Sequence, residues 1–104
     1  MRIAIVLDNI YLAEMESHIK KIMLFEADGD LVIAIDEDLI SLSDISYLCL
    51  WLLAKQVVRL YCDGLTEEGK TLLSKAGIEV YPLNRIRDHP ILQALLLKEE
   101  KENS

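Results

Sequence analysis

The chain has 104 residues, of which 52% are hydrophobic and 28% charged, a balance that suits one globular domain with its own core and excludes a disordered segment. Its formal net charge is −7, and apart from Lys20-Lys21 and Arg85/Arg87 no basic residues cluster. Phosphate backbones and anionic lipid are held by clustered Lys and Arg, so neither a nucleic acid nor a membrane is an expected partner.

The opening MRIAIVLDN is too short in its apolar run for a signal peptide, and the longest such run, Tyr47–Ala54, is too short to cross a bilayer. A cytoplasmic, reducing setting is therefore expected, with Cys49 and Cys62 as free thiols.

Arg2–Asp8 is almost continuously aliphatic, which suits a strand buried on both faces. Residues 9–18 allow either a short helix over Tyr11–Glu16 or an ordered loop. Ile19–Glu26 and Leu31–Asp36 flank Ala27-Asp28-Gly29-Asp30, and an Asp-Gly pair tolerates positive φ, so these segments predict a β-hairpin.

From Ser43 to Gln56 the pattern turns helical, with Ser43 as N-cap and Asp44 complementing the positive end of the helix dipole. Ile45, Leu48, Cys49 and Leu52 line one face, while Tyr47, Leu50, Trp51 and Leu53 fill most of the rest. A helix apolar all round is normally enclosed on both sides. One side is expected against the sheet. The other, at Leu50 and Trp51, is expected against a second subunit, making a homodimer.

Val57–Leu83 carries the most information. A strand, Val57–Cys62, stops at Asp63-Gly64; Thr66-Glu67-Glu68 opens a helix, Ala76-Gly77 closes it, and Ile78–Tyr81 reads as a second strand. Two parallel strands require such a crossover. Arg85–His89 then reads as a charged link, and Pro90 as the first position of an amphipathic helix bearing Ile91, Leu92, Ala94, Leu95 and Leu96. Residues 1–97 are expected to form the single domain, and 98–104 a fraying polar tail.

The order is β-β-β-α-β-α-β-α. With a right-handed crossover the first strand lies centrally, giving an α/β fold with a mixed five-stranded sheet, order 3-2-1-4-5, the second strand antiparallel to the rest. That is an RNase H-like arrangement.

Several segments occur together with this order: MRIAIVLDN, the hairpin IMLFEADGDLV at Ile22–Val32, and LYCDGLTEEGKTLLSKAGIEVY at Leu60–Tyr81. In sequence and order they resemble the dinitrogenase iron-molybdenum cofactor family, which includes NifX, NafY and the C-terminal domain of NifB. The resemblance covers nearly the whole chain. It implies a non-enzymatic carrier of iron–sulfur or iron–molybdenum clusters, with a cluster-donor or acceptor protein as partner. The family's loop after the first strand usually carries histidine beside phenylalanine and glycine, where this chain has Ser17-His18-Ile19. Its turn after the fourth strand is usually glycine-rich, where this chain has Asp63, Gly64 and Thr66.

The resemblance makes Cys62, Asp63, Gly64 and His18 the candidate cofactor-binding residues. Cys62 ends a central strand, where ligands of open α/β sheets tend to bind. A thiolate there and the His18 imidazole are both suitable iron ligands. The plainer alternative is that Cys62 is a small core residue and His18 a solvated loop residue. Cys49 in the apolar helix and His89 before Pro90 are weaker candidates. A family member without cluster binding would be an interaction or regulatory module.

A third reading is a metal-dependent, RNase H-like nuclease, in which Asp8 and Asp63 converge from neighbouring strand ends with Asp44 as helper. Acidic residues at strand ends are also ordinary turn formers and caps. Gly64-Leu65-Thr66 could receive an anion at the helix N-terminus, but Glu67 and Glu68 oppose one there.

Overall fold

In the computed structural model the described residues are 1–8, 19–90 and 92–94. Their elements are strands β1 (Arg2–Asp8), β2 (Ile19–Asp28) and β3 (Leu31–Ser41), helix α1 (Ile45–Ala54), β4 (Val57–Tyr61), α2 (Glu67–Lys75), β5 (Glu79–Tyr81) and a 3-10 segment, Leu83–Asp88. The sheet order is β3-β2-β1-β4-β5. β2 runs antiparallel to β1 and β3, whereas β4 runs parallel to β1 and β5. This is the arrangement expected from the sequence.

β1 is central because its side chains have apolar partners on both faces. Ala4 and Val6 join one core with Ile22, Leu24, Leu48, Leu52, Leu60 and Leu73, beneath α1 and α2. Ile3 and Ile5 join the opposite core with Met23, Phe25, Tyr61, Ile86 and Leu92. Strand side chains alternate between faces, so one aliphatic run feeds both layers.

β3 extends past the expected Asp36 to Ser41. As an edge strand it can carry the acidic run 36–38 towards solvent, and each acid has a partner. Lys55 Nζ lies 2.8 Å from Asp36, Lys21 Nζ lies 3.1 Å from Glu37, and Trp51 Nε1 donates to Asp38 at 3.1 Å. A bulge lies between the pairs Leu24–Asp36 and Phe25–Ala34, leaving Ile35 as the extra residue.

The cap of α1 is Asp44 rather than the expected Ser43. Its carboxylate accepts from Tyr47 N at 3.0 Å, while Ser43 Oγ lies 2.7 Å from Ser41 Oγ. A carboxylate at this position adds charge–dipole attraction to the hydrogen bond, which a hydroxyl does not. Beyond the helix, Gln56 sits in the left-handed region at φ 60°.

α2 begins at the expected place, with Thr66 Oγ1 accepting from Gly69 N at 3.0 Å. It ends with Gly77 at φ +88°, where Ile78 N donates back to Leu73 O at 3.0 Å. The stretch expected as a charged link is instead mostly the 3-10 segment, turned inward by Ile86, which is buried. Pro90 and residues 92–94 are helical, with Gln93 N donating to His89 O at 3.0 Å. Ile91, Leu95, Leu96 and the tail from 98 to 104 lie outside the described residues, as do residues 9–18.

Candidate functional site

Cys62 follows β4 directly, and its N–H continues the β4–β5 pairing by donating to Tyr81 O at 2.9 Å. Strand alternation turns its side chain into the core beneath the two helices, where only 3% of the residue is exposed. The Sγ–H donates to the Asp63 carbonyl at 3.3 Å. Burial, with a smaller push from the Asp63 carboxylate, raises this thiol to about 12, against the opposing pull of Lys20. In this conformation Cys62 is a protonated core thiol. Reactive cysteines sit in the opposite environment, electropositive and partly open.

The neighbouring residues also have structural tasks. Asp63 Oδ1 accepts from Leu83 N at 3.0 Å, tying the β4–α2 turn to the 3-10 segment. Gly64 holds φ +84°, and a Cβ there would meet Leu42 Cδ1 at an ordinary 3.6 Å. The turn's conformation, rather than lack of space, is what calls for glycine. Thr66, Glu67 and Glu68 cap and charge the start of α2.

His18 lies outside the described residues, as does the side chain of Asp8. Asp44 is occupied as the cap of α1. Cys49 is buried in the same core as Cys62, and both cysteines are free thiols. Among the described residues, no group of three or more His, Cys, Asp or Glu side chains converges in a way that could hold a metal ion.

Two surface features stand apart from this turn. On α1, Tyr47, Leu50 and Leu53 are 48%, 66% and 47% exposed, on a helix without a charged residue between Ile45 and Ala54. Trp51, expected on that outer face, is buried and bonded to Asp38 at the sheet edge. The second feature lies on the opposite face of the sheet, where Arg59, Tyr61, Tyr81, Arg85, Asp88 and His89 line a shallow cleft. Sequence reasoning missed it. Its signal was the alternation Arg59-x-Tyr61 and Glu79-x-Tyr81, which the parallel register places side by side. The 3-10 segment that completes it gave no comparable pattern.

Sheet order and layering define a mixed α/β domain. No protein-family model matches the chain, and no curated protein matches it. A solved structure described as "Crystal structure of PH0822" is similar over 88% of this chain and 90% of that one, with a TM-score of 0.55 and 10% sequence identity. At that identity the likeness speaks for the fold alone. Among the described residues no helix is long and apolar enough to cross a membrane.

Proposed function

We propose that the chain is a small non-enzymatic domain of the dinitrogenase iron-molybdenum cofactor type that works as an interaction or regulatory module without a resident cluster. One observation carries this reading: the Cys62 thiol is buried in the core and hydrogen-bonded to the Asp63 carbonyl, at the position where the resemblance puts a ligand. The resemblance and the matching strand order support the family. The free, buried thiols fit a reducing cytoplasmic setting. The interaction surface in this reading is the outer face of α1, and its occupant is a second copy of the chain. A copy with the same net charge of −7 meets no like charge on a helix face that bears none.

A second reading, a carrier that takes a cluster as transient cargo, is favoured by the place of the Cys62–Gly64 turn. It lies at the carboxyl end of β4, beside β1, where open α/β sheets bind ligands. Anaerobic reconstitution with iron and sulfide, followed by visible absorbance, separates the two readings. The module reading predicts no protein-bound absorbance and identical traces for wild type and Cys62→Ser. Absorbance that appears in wild type and disappears in Cys62→Ser establishes the carrier instead. The nuclease reading has less support, because Asp63 is engaged with Leu83 N and Asp44 with the α1 cap.

A further inference from the structure

The cleft on the sheet face opposite α1 and α2 gathers two guanidinium groups around one ring. Arg59 lies 5.5 Å and Arg85 5.7 Å from the centroid of Tyr81, whose ring in turn stands 5.7 Å from that of Tyr61. Arg59 comes from β4, Tyr81 from β5 and Arg85 from the 3-10 segment, so three elements fix their relative positions. Such stacking orients a guanidinium before any ligand arrives, and less conformational freedom remains to be lost on binding.

Among the described residues Arg59 lacks a good acceptor. Its Nε is shielded from solvent and has no hydrogen-bond partner. The nearest carboxylate oxygen, Glu79 Oε2, is 3.6 Å away and instead accepts from the Tyr81 hydroxyl at 2.8 Å. Among the described residues the Nη1 of Arg59 reaches only His89 Nε2, at 3.5 Å, the outer limit of a hydrogen bond. Arg85 Nε lies 3.2 Å from Asp88 Oδ2, and no hydrogen bond ties either Nη atom to an acceptor among the described residues. The charged donors of Arg59, short of acceptors in a partly buried setting, favour an incoming oxyanion, the exposed Arg85 stands at the rim of the same cleft, and planar guanidinium groups match a phosphoryl group bidentately. The opening measures about 150 Å³, a scale for a tetrahedral oxyanion rather than a nucleotide or drug-sized molecule.

We propose that this cleft binds a phosphoryl oxyanion, free or as a small monoester, through the guanidinium groups of Arg59 and Arg85. Glu79 and Asp88 limit its strength, because each partly neutralises one arginine. The site is therefore one of modest affinity. It is independent of any cluster at Cys62, which points into the opposite core.

The test is a titration of the full-length chain with inorganic phosphate and, separately, with methyl phosphate, against chloride at matched ionic strength. It is read at the arginine Nε–H resonances. The expected result is saturable movement of the Arg59 and Arg85 signals with a Kd of about 1 mM or below. Binding should weaken roughly tenfold or more in Arg59→Gln and in Arg85→Gln, and stay unchanged in Arg87→Gln, which lies outside the cleft. Arg85 is exposed, so its variant reports on binding without threatening the fold. Saturation by phosphate alone identifies the free anion as ligand, and saturation by methyl phosphate extends it to monoesters. No saturation by about 10 mM of either, or equal weakening in Arg87→Gln, overturns the proposal.

Discussion

Cys62 shows how one residue links burial to chemistry. Its thiol is raised from the ordinary 9.0 to about 12, so folding favours the protonated form. The stability this contributes is fully present below about pH 9 and is lost as pH rises towards 12, because the unfolded chain releases the proton first. Between those limits unfolding free energy should fall by roughly 1.4 kcal/mol per pH unit from this group alone. Urea unfolding at about pH 8 and about pH 10.5 should show a steeper loss in wild type than in Cys62→Ala. With Cys49 also buried, neither thiol should react quickly with a thiol-specific disulfide reagent until denaturant is added. Rapid labelling of the native protein at Cys62 would contradict its core placement. Gln56 is a second informative residue: its φ of 60° is a strained setting for a side chain with a Cβ. Gln56→Gly should raise stability by about 0.5–1 kcal/mol, with the midpoint of thermal unfolding as the readout.

At the scale of elements, α1 separates local from tertiary causes. Its start was legible to within two residues, since both Ser43 and Asp44 are good caps by type. Which one serves was settled by the end of β3, where Ser41 Oγ engages Ser43 and leaves Asp44 to accept from Tyr47 N. Asp44→Ala should therefore cost about 1 kcal/mol, and Ser43→Ala much less, in denaturant unfolding. A reversed order would return the cap to Ser43. The length of β3 was not legible, because Asp-Glu-Asp reads as a strand stop. It continues as a strand because its edge position lets the acids reach Lys55, Lys21 and Trp51. Lys55 and the Glu37 N–H also hold the Asp36 carboxyl below its usual range, with the Lys55 hydrogen bond as the larger cause.

At the scale of the molecule, the proposed self-association through α1 makes its own prediction. A charge-free helix face with Leu50 at its most exposed point is the proposed contact between copies. Leu50→Glu should shift sedimentation from dimer to monomer while leaving far-ultraviolet circular dichroism unchanged, because Leu50 is exposed and belongs to neither core among the described residues. A monomeric wild type would remove α1 as a self-association surface.

The order of the strands was legible before folding. An aliphatic run at Arg2–Asp8, an Asp-Gly hairpin and one strand–helix–strand unit with its turn residues leave a single consistent order, because these signals are local and act through backbone conformation. The environments of the candidate site residues come from long-range packing. Whether Cys62 meets solvent or core depends on α1 and α2 packing over the strand end, and whether Asp63 is available depends on Leu83, far along the chain. The arginine cleft needed the same long-range information, since Arg59 and Arg85 become neighbours only when the 3-10 segment folds back over β4 and β5. Protonation and hydrogen bonding are set by everything packed around a group, and that environment is assembled from distant parts of the chain.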